Sequence, residues 1–408
     1  MKEAIVALGR TERIVTLATL VVFVVFVIYR IPLGYSHDGD AYTILGAWQR
    51  MHAEGRYVPS RPPGYIVAEF IIGLAASVGG AWLSNTLIAI LSIFSLYLTF
   101  LLGRDIQLDK PLLLPALMAA SPYVMIASSS SMDYMISYVF LIGGMLLCLR
   151  GSLLWGILFL AIAGGARLTN WTLASAFLIW ISFQRQDEKW WSLVAILTFI
   201  TGLFYVPIWI SSNLTMSWLR AGLPDDQGLL GLVARFFYKS VQPFGLIGTI
   251  VASILIFMQR HNLGVLQKDP VFLLGLILTG VNLLIFARAP IEIYYLIYAI
   301  PFLGLILLRS KAYSAVLALM VGGLIASFVH IDLLSIRHQD TGLCGPVLAN
   351  GAHFAPSVGP GVLVAEIRDS PRWDQCNNLR PGLLEPYRSH NAPLPVPAPL
   401  RQPQRPAQ

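Results

Sequence analysis

The chain has 408 residues, 56% of them hydrophobic and only 12% charged, with a mean hydropathy of +0.68. Soluble domains carry about 25% charged residues, so a soluble globular protein is excluded. The apolar runs are continuous rather than alternating, which selects membrane helices over a barrel. In such a chain the net charge of +7 is a topology signal and does not point to nucleic acid.

Residues 1–13 carry Lys2, Arg10 and Arg13, which places the N-terminus in the cytoplasm. The apolar run from Ile14 to Tyr29 exceeds the ~7–15 residues of a signal-peptide core, and no small-residue cleavage site follows. It is read as a retained first span over 14–30. Residues 31–63 form the first outer loop, and its 36–65 stretch holds the concentrated charge of the N-terminal third: Asp38 and Asp40, then Arg61-Pro62-Pro63. Between them Tyr42, Leu45, Trp48, Gln49 and His52 share one helical face, which predicts a helix lying on the membrane surface. The apolar stretch 64–80 is interrupted by Glu69 and has no basic residue at its far end.

Further apolar runs occupy 82–102, 112–128, 134–149, 152–166, 171–183, 190–210, 243–258, 271–287, 293–308 and 312–330. If 64–80 does not cross, nine basic residues face inward (Arg104, Lys110, Arg150, Arg185, Lys189, Arg260, Lys268, Arg309, Lys311). Five then face outward (Arg167, Arg220, Arg235, Lys239, Arg288). If it crosses, the sets exchange, so charge bias favours about eleven crossings with the C-terminus outside. The expected domains are a transmembrane catalytic unit over 1–330 with its outer loop at 31–81, a small extracytoplasmic region over 331–390, and a Pro-rich disordered tail over 391–408. Cys148 is read as a buried thiol, whereas Cys344 and Cys376 can form a disulfide outside the cytoplasm. The compact loops are read as those of a bacterial inner-membrane protein.

Under this topology Asp38, Asp40, Arg61, Asp133, Arg167, Arg288 and Glu292 converge on the outer face. A charge at membrane depth costs about 2.5–3.5 kcal/mol on insertion scales, so such residues line a cavity, pair or act. Each arginine taken singly is as well explained by snorkelling. A carboxylate there can take the proton of an attacking acceptor, and arginines can bind a leaving phosphate. His37, Asp38 and Asp40 have the oxygen-rich chemistry that suits Mg²⁺ or Mn²⁺.

The order of a first span, an outer loop with Asp38-x-Asp40, a surface helix, Arg61-Pro62-Pro63-Gly64-Tyr65 and an apolar helix resembles the GT-C superfamily of polyprenyl-phosphate-sugar glycosyltransferases, including protein O-mannosyltransferases and aminoarabinose transferases. The resemblance implies an all-α polytopic membrane fold with juxtamembrane helices in the first outer loop. It implies transfer of a hexosyl or pentosyl group from a polyprenyl-phosphate donor to a glycan, lipid or protein acceptor on the extracytoplasmic face. By position, Asp40 or Asp38 matches the family's catalytic acid, Asp133 its second outer acid, and Arg61, Arg167 and Arg288 its phosphate-binding cations. His37, Tyr65, Glu292 and Tyr295 are the substrate-side candidates, and Asp40 with Asp133 the candidate metal ligands. Asp-x-Asp stands where several relatives have Asp-Glu, so the choice of base stays open. Two rival readings are a lipid-linked-sugar flippase or other secondary transporter, against which one-sided charge and the lack of a repeat count, and an O-antigen-type polymerase.

Overall fold

The computed structural model describes residues 7–36, 39–61, 63–186, 190–211, 229–259, 266, 268–288, 290, 292–339 and 348–367. His37, Asp38, Cys344, Cys376 and the 391–408 tail therefore lie outside the described residues.

Among the described residues, five stretches are long and apolar enough to cross a membrane: Arg10–Leu33, Ile66–Asp105, Trp191–Ser211, Leu232–Met258 and Pro270–Arg288. Four shorter apolar helices accompany them, Asp133–Leu149, Leu153–Ala166, Ile293–Arg309 and Tyr313–Phe328. The protein is thus a polytopic α-helical membrane protein. Helix α1 (Arg10–Arg30) shows the inverted polarity this requires. Ile14, Val21, Val25 and Ile28 are exposed, while Thr16 and Thr19 are buried, and Thr19 Oγ1 donates to the Val15 carbonyl at 2.8 Å.

After α1 the chain makes a short 3₁₀ turn at Ile31–Leu33 and enters α2 (Gly39–Glu54). The predicted surface helix exists, but it is seated on protein: Ile44, Leu45, Trp48 and Met51 are buried. Trp48 Nε1 donates to Ser77 Oγ at 2.7 Å on α3 (Ile66–Asp105). Helix α3 has 40 residues, about 60 Å at ~1.5 Å per residue. It bends at Gly79 and Gly80, where Gly80 takes φ +60°, ψ −155°, a region open essentially to glycine alone. A shorter half before the bend and a longer half after it result.

The ends of the bundle are sorted by ion pairs. Lys110 Nζ lies 2.6 Å from Glu12 Oε1, so the end of α3 returns to the end where α1 begins. At this same end Arg150 meets Asp105 at 2.6 Å and Arg309 meets Asp269 at 2.7 Å. Helices α6 (Asp133–Leu149), α7 (Leu153–Ala166) and α8 (Thr169–Gln184) shuttle between the two ends. The charged residues at their turns alternate accordingly: Asp133, Arg150, Arg167, Arg185.

Four segments differ from expectation. The apolar run 112–128 is two short buried helices, α4 (Leu113–Ala119) and α5 (Pro122–Ala127), because Ser121-Pro122 breaks the helix. The interval between the apolar runs 190–210 and 243–258 contains a helix, α10 (Leu229–Val241), which follows α9 (Trp190–Ser211). A 3₁₀ turn at Gln242–Phe244 joins α10 to α11 (Gly245–Met258). After α12 (Pro270–Arg288), the run 293–308 starts with a 3₁₀ turn, Ile293–Tyr298, before α13 (Ala299–Arg309) and α14 (Tyr313–Phe328). The chain from the end of α14 into the small region expected over 331–390 forms an antiparallel hairpin, β1 (Val329–Gln339) and β2 (Leu348–Pro360). Just beyond it Glu366 makes a buried ion pair with Arg30, whose Nη2 also donates to Ser130 Oγ at 3.3 Å, tying the chain's later part to the first span.

Asp269 shows how the loops are anchored. It caps α12 by accepting from Val271 N and Phe272 N, each at 2.9 Å. Burial alone would raise its pKa, but the Phe272 amide, Arg309 and the Val271 amide outweigh this and hold the carboxyl below the ordinary aspartate range. A depressed pKa contributes stability above about pH 3.9 that is lost as pH falls through the folded value. Asp269→Ala should therefore cost about 1 kcal/mol near neutrality. Thermal unfolding of the two proteins should converge as the pH drops below that range.

Candidate active site

The loop from α1 to α2 is fixed before it reaches the acids. Asn85 Nδ2 donates to the carbonyls of Ile31 (3.1 Å) and Gly34 (2.6 Å), and Asn85 Oδ1 accepts from Ser131 Oγ at 2.8 Å. The Ser131 amide in turn donates to the Tyr35 carbonyl at 3.0 Å. The start of the first loop and the serine run before α6 are thus one hydrogen-bonded unit, and Asp133 follows two residues later.

Asp133 is fully buried at the first position of α6, where the helix dipole favours a carboxylate. Arg167 is 1% exposed and follows the last residue of α7, where the dipole favours a cation. Their side chains pair directly, Arg167 Nη1 to Asp133 Oδ2. The other carboxylate oxygen, Asp133 Oδ1, accepts from Arg61 Nη2 at 2.8 Å, and Arg61 Nη1 pairs with Asp40 Oδ2. The result is a chain of alternating charge, Asp40–Arg61–Asp133–Arg167, drawn from α2, the Arg61-Pro62-Pro63 turn, α6 and α7. Burial would lower the Arg61 pKa, but Asp133 overcomes it and raises the value, so the guanidinium stays charged.

Tyrosines line the cations. The Arg167 guanidinium carbon lies 3.9 Å from the Tyr134 ring centre, 4.5 Å from Tyr295 and 5.3 Å from Tyr65; Arg61 lies 4.5 Å from Tyr65. Desolvated cation–π contacts of this kind are worth about 2 kcal/mol each. Burial pushes the Tyr65 phenol up to about 12, with Arg167 and Arg61 pulling against it.

The Arg61 turn is held by Glu69, the acid that interrupts the apolar run. Glu69 is fully buried and accepts from the Ser60 amide at 2.8 Å and from the Tyr57 hydroxyl. Burial, then the Glu69 carboxylate, pushes the Tyr57 phenol far above its ordinary range, so it stays a donor. Gly64 closes the turn, its amide donating to the Arg61 carbonyl at 2.6 Å. At φ +97° it tolerates no side chain easily, and a Cβ would stand 2.3 Å from Ile208 Cδ1.

Of the residues singled out in the sequence, Asp40, Arg61, Asp133, Arg167, Tyr65 and Tyr295 come together. Glu292 caps the 3₁₀ turn that carries Tyr295 and is half-buried. Arg288 ends α12 exposed, and among the described residues no hydrogen bond or ion pair joins it to the cluster. Sequence reasoning did not assign Glu69, Tyr57 or Tyr134 to the site. Glu69 carried a usable signal, an acid alone in an apolar run; the tyrosines carried none.

The arrangement does not fit a cation shared by Asp40 and Asp133, because Arg61 already bridges their carboxylates. Among the described residues no group of three ligating side chains is present.

The fold built from α1, α2, the bent α3 and the α6–α8 shuttle is one that solved structures share. It is shared with ArnT from Cupriavidus metallidurans in the apo state, at a TM-score of 0.52 and 13% identity, over 73% of this chain and 60% of ArnT. The same protein bound to undecaprenyl phosphate gives a TM-score of 0.54 and 13% identity, over 72% of this chain and 60% of that one. The chain thus spans about 60% of the length of ArnT. No protein-family model and no curated protein matches the sequence.

Proposed function

We propose that this protein transfers a hexosyl or pentosyl group from a polyprenyl-phosphate carrier to a glycan, lipid or protein acceptor on the extracytoplasmic face of a bacterial inner membrane, with its N-terminus in the cytoplasm. The observation that carries this reading is Arg61, held between Asp40 and Asp133 while Arg167 is held on the same Asp133. That ArnT has been captured with undecaprenyl phosphate supports the choice of donor lipid.

In this reading the bond from the anomeric carbon to the phosphate oxygen breaks as a bond from that carbon to the acceptor oxygen or nitrogen forms. The polyprenyl phosphate leaves with the electron pair, and Arg61 and Arg167 stabilise its charge. Asp40 takes the acceptor's proton. A carboxylate paired with a guanidinium is a weak base, so the Arg61–Asp40 pair is a resting state. A donor phosphate competes for Arg61, and the exchange frees Asp40 at the moment the donor is in place. Asp133 stays bound to both arginines and sets their spacing. Asp38 is the second candidate base. Arg288, exposed and outside the cluster, has no part in this step. A divalent cation would be held by His37, Asp38 and Asp40 once Arg61 has left Asp40.

The test uses the purified protein in liposomes with undecaprenyl-phosphate sugar labelled in the sugar, and membrane extract as acceptor source. Label should move from the lipid donor to a second product. Label that stays on its lipid but changes leaflet would establish the flippase reading instead.

A further inference from the structure

We infer that the cavity between α10, α11 and β1 is a second binding site, for a long-chain amphiphile whose head is a hydrogen-bond donor, an alcohol or an amine. The cavity holds about 310 Å³, within the ~300–1,000 Å³ range of small-molecule sites. Its body is apolar, lined by Phe237, Val241, Leu246, Ile331 and Leu333. It lies among exposed apolar side chains, with Phe237 at 66%, Phe328 at 54% and Ile247 at 47%. Phe237 and Ile247 belong to Leu232–Met258, a stretch long and apolar enough to cross a membrane, and such a belt faces lipid, so an alkyl or isoprenyl chain meets its own medium at the opening.

One end of the cavity is polar. Asp332 Oδ1 accepts from the Tyr238 hydroxyl at 2.6 Å and lies 2.8 Å from His330 Nε2. Gln242 lines the same end. With Nε2–H donating to Asp332, Nδ1 is the ring nitrogen left for a ligand, an acceptor whenever the ring carries one proton. That Nδ1 is buried and has no partner among the described residues. An unsatisfied buried acceptor costs about 1–3 kcal/mol, and a hydroxyl or amine head would satisfy it. Asp332 adds negative charge and, among the described residues, no Lys or Arg lines the cavity, so the lining disfavours a phosphate head. This separates the cavity from the Arg61–Arg167 cluster, whose chemistry suits phosphate.

The two sites are neighbours without sharing a residue. Gln242 Oε1 accepts from the Tyr123 hydroxyl at 3.2 Å, Tyr123 stacks edge-on to Tyr294 at 5.8 Å, and Tyr294 meets Tyr134 at 5.1 Å. Tyr134 in turn covers Arg167. The inference stands on the cavity's own chemistry and holds or fails independently of sugar transfer.

Native mass spectrometry of the full-length protein in detergent, titrated with dodecylamine, dodecanol or dodecyl phosphate, tests it. The amine and the alcohol should form saturable one-to-one adducts at concentrations at least tenfold below dodecyl phosphate. Leu246→Trp, which fills the cavity, should abolish the adducts. His330→Ala, which removes the acceptor and keeps the apolar body, should weaken them about tenfold, the ~1.4 kcal/mol equivalent of one such hydrogen bond. Absence of a saturable adduct, equal or better binding of dodecyl phosphate, or unchanged binding in a folded Leu246→Trp variant overturns the assignment. Should that variant not fold, the head-group series on the unaltered protein decides alone.

Discussion

Asp133→Asn is expected to lower folding stability by about 3–5 kcal/mol and to abolish sugar transfer. The first figure is the usual cost of removing one partner from a buried ion pair. Here the carboxylate serves two guanidiniums, and Arg167 is almost fully enclosed with the charge it would leave unbalanced. The amide keeps the shape of the side chain but presents an N–H₂ to at least one cation. Against a typical total stability of about 5–15 kcal/mol this is a large fraction. Thermal unfolding in detergent, run beside the transfer assay, measures both effects. Unchanged melting and activity in the Asp133→Asn variant would show that Asp133 is not the anchor of the two arginines.

Asp40→Asn should separate chemistry from scaffolding. Asp40 and Arg61 keep 15% and 19% of their side chains exposed, and Arg61 retains Asp133 when Asp40 is neutralised. The stability loss should therefore be smaller than for Asp133. Transfer should fall by about 10²–10⁴-fold, the usual contribution of a positioned general base. Donor binding should hold or tighten, because Arg61 no longer has to leave a carboxylate to meet the phosphate. Binding of undecaprenyl phosphate and single-turnover transfer distinguish the two effects. Full activity in Asp40→Asn with loss in Asp38→Asn would move the base to Asp38.

The legible and the hidden parts of the site differ for physical reasons. The Arg61-Pro62-Pro63 turn could be seen because proline and glycine constrain the backbone locally, and Asp133 because an acid beside an apolar run is costly. That Arg61 bridges two acids could not be seen, since Asp40, Arg61 and Asp133 are joined only by the packing of α2 on α3 and of α3 on α6. Arg288 satisfied the same sequence criteria as Arg167, yet it ends exposed while Arg167 is enclosed by three tyrosines. Glu69 read as a blemish in a span and proved to be the post that holds the Arg61 turn.

What the sequence determined by itself is the solvent. Long apolar helices, the sorting of basic residues between two ends and the placing of Asp40 and Arg61 in one loop all follow from composition and spacing, because insertion energies act on each segment separately. Tertiary structure decided what those segments do to one another. It split 112–128 at Ser121-Pro122, bent α3 at Gly80, made a hairpin of 329–360 and paired Glu366 with Arg30. Above all it chose which charges meet, since ionic pairing depends on distances across the bundle that no local pattern encodes.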